Sequence, residues 1–373
     1  MARLARAEVF APDEVAIVHV MNRVVRRCFL LGTDTVTGIN YDHRKAWIEE
    51  QLQRMAAYFG IDLLGFAILS NHFHLILRSR PDVVVTWDDT EVARRWLMLC
   101  PVRKNCEGFA EEPNEMELNS IRNDSQRLET IRRRLSDLAW WMRLLCQNIA
   151  TRANHEDREM GKFWQSRYRA VRLLDEQALF ACAAYVDLNP IRAGLAQTLE
   201  ESDFTSVQRR IQSLQQEIAI NQDNTEHEPI GTIDESVREA TPAVAAPPAA
   251  DRFLSPMTID ERSHEIGPVA SDSGFRCSHK GFLPMSVAEY VGLLDWTARQ
   301  LAEGKSGSTP SNVPPIFARL SIEPKAWCKL VGNFGRLFFS VAGLPQTIDI
   351  TRSRIGQHRY YVPKTTRDLL PAI

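Results

Sequence analysis

The sequence of 373 residues lacks several features that mark common protein classes. It has no apolar run long enough to span a membrane, and its N-terminus lacks the apolar centre of a signal peptide. Its seven cysteines form no CxxC pair, which indicates a reducing cytoplasm rather than a disulfide framework. Cys277 and His279 have no second pair at ligand spacing, so they predict no zinc site. With 44% hydrophobic residues, the chain is expected to be a mainly globular cytoplasmic protein.

The net charge of −2 conceals three blocks of alternating sign. Residues 121–174 hold 12 Lys and Arg against 6 Asp and Glu, and residues 319–373 hold 9 against 3. Between them, residues 217–274 hold 3 against 12. Two basic blocks around an acidic one favour an anionic partner such as nucleic acid. Two parts of the one protein would then contact that partner. Ordinary solvated helix faces would explain either basic block alone.

The length predicts two domains. Residues 216–280 are poor in aromatics and rich in Glu, Asp, Ser, Ala and Pro, so we predict an acidic disordered linker there. This places a first domain at 1–215, with a helical insertion at about 81–120. A small, basic, mainly helical accessory domain is expected at 281–373.

The apolar patterns within the first domain predict an α+β fold. Val15–Val20 is expected to form a strand, with Cys28–Gly32 as its hairpin partner. Asp42–Phe59 is predicted as a helix that stops before Gly60, and Ile121–Arg152 as one long amphipathic helix. Strand, helix and strand in this order indicate an antiparallel sheet layered on helices.

A strand with two histidines is the centre of the pattern. Leu63–Leu77 is apolar and β-prone, and it contains Ser70-Asn71-His72-Phe73-His74. Residues two apart in a strand share a face, so His72 and His74 point the same way. Two neighbouring neutral imidazoles can share one divalent cation. From the pair alone, two core histidines are an equally good interpretation.

A second candidate lies at the end of a helix, in Ala184–Leu195. Tyr185 and Asn189 are four residues apart and therefore share a helix face. Because Asn189 precedes Pro190, it is expected at the helix end. Its amide oxygen can bind a hard cation, and its alternative role is a C-terminal cap.

A basic and aromatic segment, Gly161–Arg169, precedes this helix. Its composition favours contact with phosphates or bases. Trp164 is the candidate for base stacking, although a core position explains it equally well. The candidate residues for DNA contact, including two arginines after the first strand, are Arg23, Arg26, Trp164, Arg167, Tyr168 and Arg169.

These motifs together resemble a known family. Asn71–His74, Phe163–Tyr168 and Ala184–Gly194 resemble the single-tyrosine HUH transposases (histidine, bulky apolar residue, histidine), in particular the REP-associated tyrosine transposase group. The resemblance spans roughly residues 12–200. The insertion after Arg80 and the tail beyond residue 215 depart from the family pattern.

The resemblance implies a ferredoxin-like or RRM-like antiparallel sheet with helices on one side. It also implies cleavage and rejoining of single-stranded, hairpin-bearing DNA through a 5′-phosphotyrosine intermediate. His72, His74 and Asn189 match the ligands of a divalent metal, Mg²⁺ or Mn²⁺. Tyr185 matches the nucleophile, with Tyr168 as its rival. The implied partner is DNA and not a membrane, and a homodimer is a possible assembly.

The implied chemistry agrees with the residue types. A divalent cation would polarise a phosphate oxygen and stabilise the charge added by a nucleophile. Tyrosine is a weak nucleophile until a metal or base lowers its pKa. A phosphotyrosyl bond keeps the energy of the broken phosphodiester, so a free 3′-hydroxyl can reverse the step.

Three other functions stay open at the level of sequence. A relaxase or replication initiator shares the chemistry but usually carries helicase or further tyrosine motifs. A catalytically silent, sequence-specific DNA-binding protein derived from such an enzyme would keep the fold. A metal-dependent hydrolase of small phosphate esters would not need the basic blocks.

Overall fold

The computed structural model describes most of the chain. It covers residues 13–25, 28–35, 37–106, 108–226, 249–259, 267–302 and 323–355, together with Val362, Thr366 and Leu369. Arg26 lies outside the described residues. In the described part, no helix combines the length and apolar character needed to cross a membrane. The cytoplasmic location and the homodimer stay predictions.

A five-stranded sheet forms the centre of the molecule, with strand order β2-β3-β1-β4-β5. Its strands are β1 (Ile17–Arg23), β2 (Ile61–Ile68), β3 (His72–Ser79), β4 (Arg169–Leu173) and β5 (Val341–Ala342). The first four pair antiparallel, and β5 pairs parallel with β4. The predicted α+β class with an antiparallel sheet is therefore confirmed.

One face of the sheet carries α1 (His43–Tyr58) and α6 (Leu138–Asp157), which pack against each other. The strand order β2-β3-β1-β4 with these two helices on one side is the ferredoxin-like arrangement. The apolar face of α1 and the inward side chains of β1, such as Val18 and Val20, share one core there. The other helices before β4 are α2 (Pro81–Val84), α3 (Asp89–Leu99), α4 (Glu115–Arg122) and α5 (Ser125–Leu135).

The opposite face of the sheet is also covered by helices, which the prediction of helices on one side did not include. After β4 the chain crosses this face as α7 (Glu176–Asp187) and turns into α8 (Asn189–Arg192). A second core forms between this face, α7 and the later helices. Those helices are α9 (Ser206–Glu226), α10 (Val287–Ala302), α11 (Pro324–Leu337) and α12 (Pro345–Ile355). The alternation of side chains along each strand supplies apolar residues to both cores.

Two local predictions differ from the structure. Residues 28–32 form a loop and not a hairpin strand, and this loop packs on the turn before β3. A Cβ on Gly32 would come within 2.5 Å of the Ser70 Cβ, so the approach requires glycine. The predicted helix Ile121–Arg152 is divided between α4, α5 and α6, because the Asp137 carboxylate accepts a hydrogen bond from the Ala139 amide and begins a new helix.

Described parts of the predicted linker, 216–280, are packed against the sheet. Phe253, Leu254 and Met257 are buried. The Arg78 guanidinium on β3 donates hydrogen bonds to the carbonyls of Lys280, at 2.6 Å, and Gly281, at 2.9 Å. The average composition of the segment did not reveal these few apolar residues. Each of them lies in a hydrophobic core. The prediction of disorder does not hold for these residues, and residues 227–248 and 260–266 lie outside the described part.

The described residues after 281 share the second core instead of forming a separate body. β5 extends the sheet next to β4, and α11 packs across α7. Trp327 of α11 is fully buried, with its ring 4.4 Å from that of Phe180 on α7. This packing differs from the separate accessory domain that the sequence predicts, because Trp327, Phe334 and Phe338 lie in the same core as the apolar residues of α7.

Candidate active site

The histidine strand presents its polar face toward α7. In the antiparallel registers, His72 pairs with Arg23 and His74 pairs with Met21, which also pairs with Arg169. Directly paired residues lie on the same face of a sheet. Arg23, His72, His74 and Arg169 therefore share one face, and the rings of the two histidines are 5.0 Å apart.

Tyr185 on α7 lies over this face. Helix α7 begins at the Asp175 cap, whose carboxylate accepts a hydrogen bond from the Ala178 amide at 3.0 Å. Three turns later, the Tyr185 ring meets the His74 ring edge to face, with centroids 5.4 Å apart. A strand and a helix that are distant in sequence thus place the predicted nucleophile beside the predicted metal ligands.

A third histidine, His19 on β1, belongs to the same cluster. Its Nε2 lies 2.9 Å from His74 Nδ1, and the two rings are parallel within 10°. The Tyr185 ring is 5.9 Å from the His19 ring. The sequence predicted His19 only as a member of the strand Val15–Val20. Its alternation with Val18 and Val20, which enter the other core, is the signal that could have placed it on this face.

All three histidines are neutral at neutral pH. Burial, followed by the positive charge of Arg169, lowers the pKa of His19 to about 3. Burial and then Arg23 lower the pKa of His72 to about 4. Burial, with the neighbouring histidines next, brings the pKa of His74 well below its usual range. Neutral imidazoles keep a nitrogen lone pair that can bind a metal.

Two of the three predicted ligands offer a nitrogen atom to a divalent cation. His74 Nε2 is buried and has no hydrogen-bond partner. His72 Nδ1 lies 2.6 Å from Asn71 Oδ1, which leaves its Nε2 as the other nitrogen donor. Asn189 donates through Nδ2 to the Tyr185 carbonyl at 3.1 Å, so its amide group caps the end of the tyrosine helix. Within the described residues, no three His, Cys, Asp or Glu side chains form a metal cluster. A cation would therefore depend on two imidazoles and an amide.

Helix α11 forms a wall of the site that the sequence did not predict. The Phe334 ring lies 5.7 Å from the Tyr185 ring and 6.3 Å from the His19 ring. The Arg192 guanidinium lies 5.3 Å from the centre of the Tyr185 ring and donates to the Gly332 carbonyl. The half-buried tyrosine is thus held between the sheet and the C-terminal part of the chain.

A buried carboxylate anchors the end of the tyrosine helix. Asp187 accepts hydrogen bonds from Ser206 Oγ at 2.6 Å, the Val207 amide at 3.1 Å and the Tyr290 hydroxyl at 2.8 Å. These contacts join α7 to α9 and α10. The position of Tyr185 therefore depends on both later helices, which only the tertiary structure reveals.

Trp164 occupies a structural position. Its indole nitrogen donates to the Cys146 carbonyl at 2.8 Å. Its ring meets those of Phe73 and Phe163 edge to face, at 5.4 and 4.8 Å. These contacts favour the core alternative over base stacking.

The remaining predicted DNA contacts divide between the two faces. Arg23 and Arg169 lie on the face of the histidines, where their charges act on His72 and His19. Arg167 is exposed. Tyr168 packs against the core on the opposite face, together with α1 and α6. The rival nucleophile is therefore separated from the histidine pair by the sheet.

The chain has few matches among known proteins. No family model and no curated protein matches the chain. Among solved structures, the chain is similar to a REP-associated tyrosine transposase bound to a REP hairpin, at 11% identity and a TM-score of 0.31. The match covers 64% of this chain and 96% of that chain. An identity of 11% and a TM-score of 0.31 mark a distant likeness.

Proposed function

We propose that the protein is a single-tyrosine transposase of the HUH type that cleaves and rejoins single-stranded, hairpin-bearing DNA. The observation that carries this proposal is the position of Tyr185, whose ring lies 5.4 Å from that of His74. A tyrosine beside an unpartnered buried imidazole nitrogen is the arrangement that a metal-assisted tyrosine nucleophile needs.

In this proposal, the Tyr185 oxygen attacks a phosphodiester phosphorus. The bond between phosphorus and the 3′-oxygen breaks, the phenol loses its proton and the departing 3′-oxygen gains one. The 5′-phosphate stays on Tyr185 until a 3′-hydroxyl reverses the reaction. A divalent cation held by His72, His74 and Asn189 would polarise a non-bridging oxygen of that phosphate.

Positive charges of the chain bind the phosphate and orient it. Arg23 and Arg169 lie on the histidine face, and Arg192 lies beside the Tyr185 ring. The charges of Arg169 and Arg23 contribute to the lowered pKa values of His19 and His72. The described surroundings therefore favour an anionic substrate, as DNA cleavage requires.

One observation favours a second function, that of a catalytically silent DNA-binding protein. The Tyr185 hydroxyl lies directly against Gly335 of α11. If this helix stays in place when DNA binds, the hydroxyl cannot reach a phosphate, and the chain would bind DNA without cutting it.

A covalent-capture experiment separates the two functions. The full-length protein is incubated with end-labelled, hairpin-bearing single strands and Mn²⁺ or Mg²⁺, and denaturing gels reveal covalent protein–DNA species. We expect an adduct with the wild type and with Tyr168→Phe, which changes the tyrosine on the other face. Tyr185→Phe should bind the DNA and form no adduct. Binding without an adduct in the wild type would support the silent alternative.

A further inference from the structure

The contact between His19 and His74 joins two buried side chains on adjacent strands. The nitrogen atoms are 2.9 Å apart, and both side chains are at most 5% exposed. Two neutral imidazoles can form this hydrogen bond in two ways, since either ring can carry the shared proton. The choice decides which nitrogen of His74 has a lone pair.

The two arrangements differ at His74 Nε2. If His19 donates, His74 carries its proton on Nε2, where a buried N–H would lack any partner. If His74 donates through Nδ1, its Nε2 keeps a lone pair directed at the site. We infer that His19 is a positioning residue that accepts the hydrogen bond from His74 Nδ1 and so keeps His74 Nε2 unprotonated for a metal.

The surroundings of His19 suit this task. The Tyr185 and Phe334 rings contact the His19 ring edge to face, at 5.9 and 6.3 Å, and restrict its rotation. Ligand histidines usually donate their second nitrogen to a fixed acceptor, which sets the tautomer and the orientation of the ring. Here the acceptor is a second imidazole, held by the proposed nucleophile and by α11.

The inference about metal binding rests on the proposed function, but the tautomer can be measured without metal. In the full chain labelled with ¹⁵N-histidine, two-bond ¹H–¹⁵N spectra distinguish the protonated nitrogen of each ring. We expect His74 to carry its proton on Nδ1 in the wild type. A wild-type His74 protonated on Nε2 would overturn the inference.

Substitutions at His19 provide the second measurement. Gln can accept the hydrogen bond through its amide oxygen, whereas Phe cannot. We expect His19→Phe to weaken Mn²⁺ binding by about 10- to 100-fold in calorimetry and to shift His74 toward the Nε2–H form. His19→Gln should restore most of both properties, and His155→Phe, at an exposed position on α6, should change neither.

These outcomes separate the inference from the proposed function. A wild type that binds no Mn²⁺ and forms no DNA adduct would refute the metal-dependent transposase. The ¹⁵N spectrum would still decide whether His19 sets the tautomer of His74. Equal Mn²⁺ affinity of His19→Phe and the wild type would refute the role of His19 while leaving the transposase proposal intact.

Discussion

Gly335 lies against the hydroxyl of Tyr185. A Cβ built on Gly335 would come within 2.6 Å of the Tyr185 oxygen, closer than two such atoms can pack. Gly335→Ala should therefore displace Tyr185 or α11. We expect a lower yield of DNA adduct and a free energy of unfolding reduced by about 1–3 kcal/mol, the usual cost of overpacking.

Gly292 of α10 provides the matched control, because its Cβ would meet no atom within 4 Å. Gly292→Ala should leave adduct formation unchanged and raise the unfolding free energy by up to about 1 kcal/mol through helix propensity. Adduct yield and urea unfolding of both variants test the contact. If Gly335→Ala behaves like Gly292→Ala, α11 does not confine the tyrosine.

The two strand histidines are predicted to be required for chemistry and not for folding. His72→Ala or His74→Ala should remove strand cleavage, and EDTA should do the same to the wild type, because two imidazoles supply most of the site. His155→Ala, on the exposed end of α6, should cleave normally. The measurement is cleavage rate together with thermal unfolding of each variant. If the wild type cleaves DNA at an undiminished rate in EDTA, the two histidines have a structural role and not a metal-binding one.

A buried ion-pair cluster should dominate the acid sensitivity of the fold. Asp62 accepts hydrogen bonds from Arg78, Arg80 and Ser278, and contacts the Cys277 thiol at 3.1 Å. Burial raises the pKa of Asp62, but the two arginines and the other donors lower it more, so it lies below the usual value. This stabilisation is present above the unfolded-state pKa and is lost as the pH falls through the folded-state pKa.

Asp62→Asn should lower the unfolding free energy at neutral pH by about 3–5 kcal/mol, because the buried Arg78 and Arg80 lose a shared carboxylate and only Arg80 keeps another, that of Asp82. Its stability should also fall less steeply than that of the wild type below about pH 4. Asp295→Asn, which breaks an exposed pair with Arg299, should leave the unfolding free energy nearly unchanged. Urea unfolding between pH 3 and 7 measures all three proteins. Parallel pH profiles for Asp62→Asn and the wild type would contradict this account.

Local spacing made part of the fold and site predictable. The period of two placed His72 and His74 on one face. The interval of four brought the Asn189 amide to the Tyr185 carbonyl, although the two residues belong to α7 and α8. Each of these inferences needs only a few neighbouring residues.

The rest depends on contacts between distant segments. His19 joins the site only because β1 lies between β3 and β4 in the sheet. Trp164 could not be assigned to the core until its partners Phe73 and Cys146 were known. The C-terminal wall depends on α11 crossing α7, which no pattern within residues 281–373 indicates.

Removal of the C-terminal part should therefore damage the fold. A chain ending at residue 215 loses Tyr290, the hydrogen-bond partner of Asp187, and Trp327, which covers Phe180. We expect this truncation to bind a hydrophobic dye and to lose its cooperative unfolding transition. The full chain provides the reference in near-ultraviolet circular dichroism. A truncated protein with a native-like spectrum and a sharp transition would show that residues 1–215 fold alone.

Mapping the covalent adduct tests the assignment of Tyr185 most directly. Trypsin would release Leu173–Arg192, in which Tyr185 is the sole tyrosine, whereas Tyr168 would leave in the dipeptide Tyr168–Arg169. After nuclease trimming, mass spectrometry should find a nucleotide phosphate on Leu173–Arg192. A nucleotide on Tyr168–Arg169, or no modified peptide from protein that has bound hairpin DNA with Mn²⁺, would contradict Tyr185 as the nucleophile.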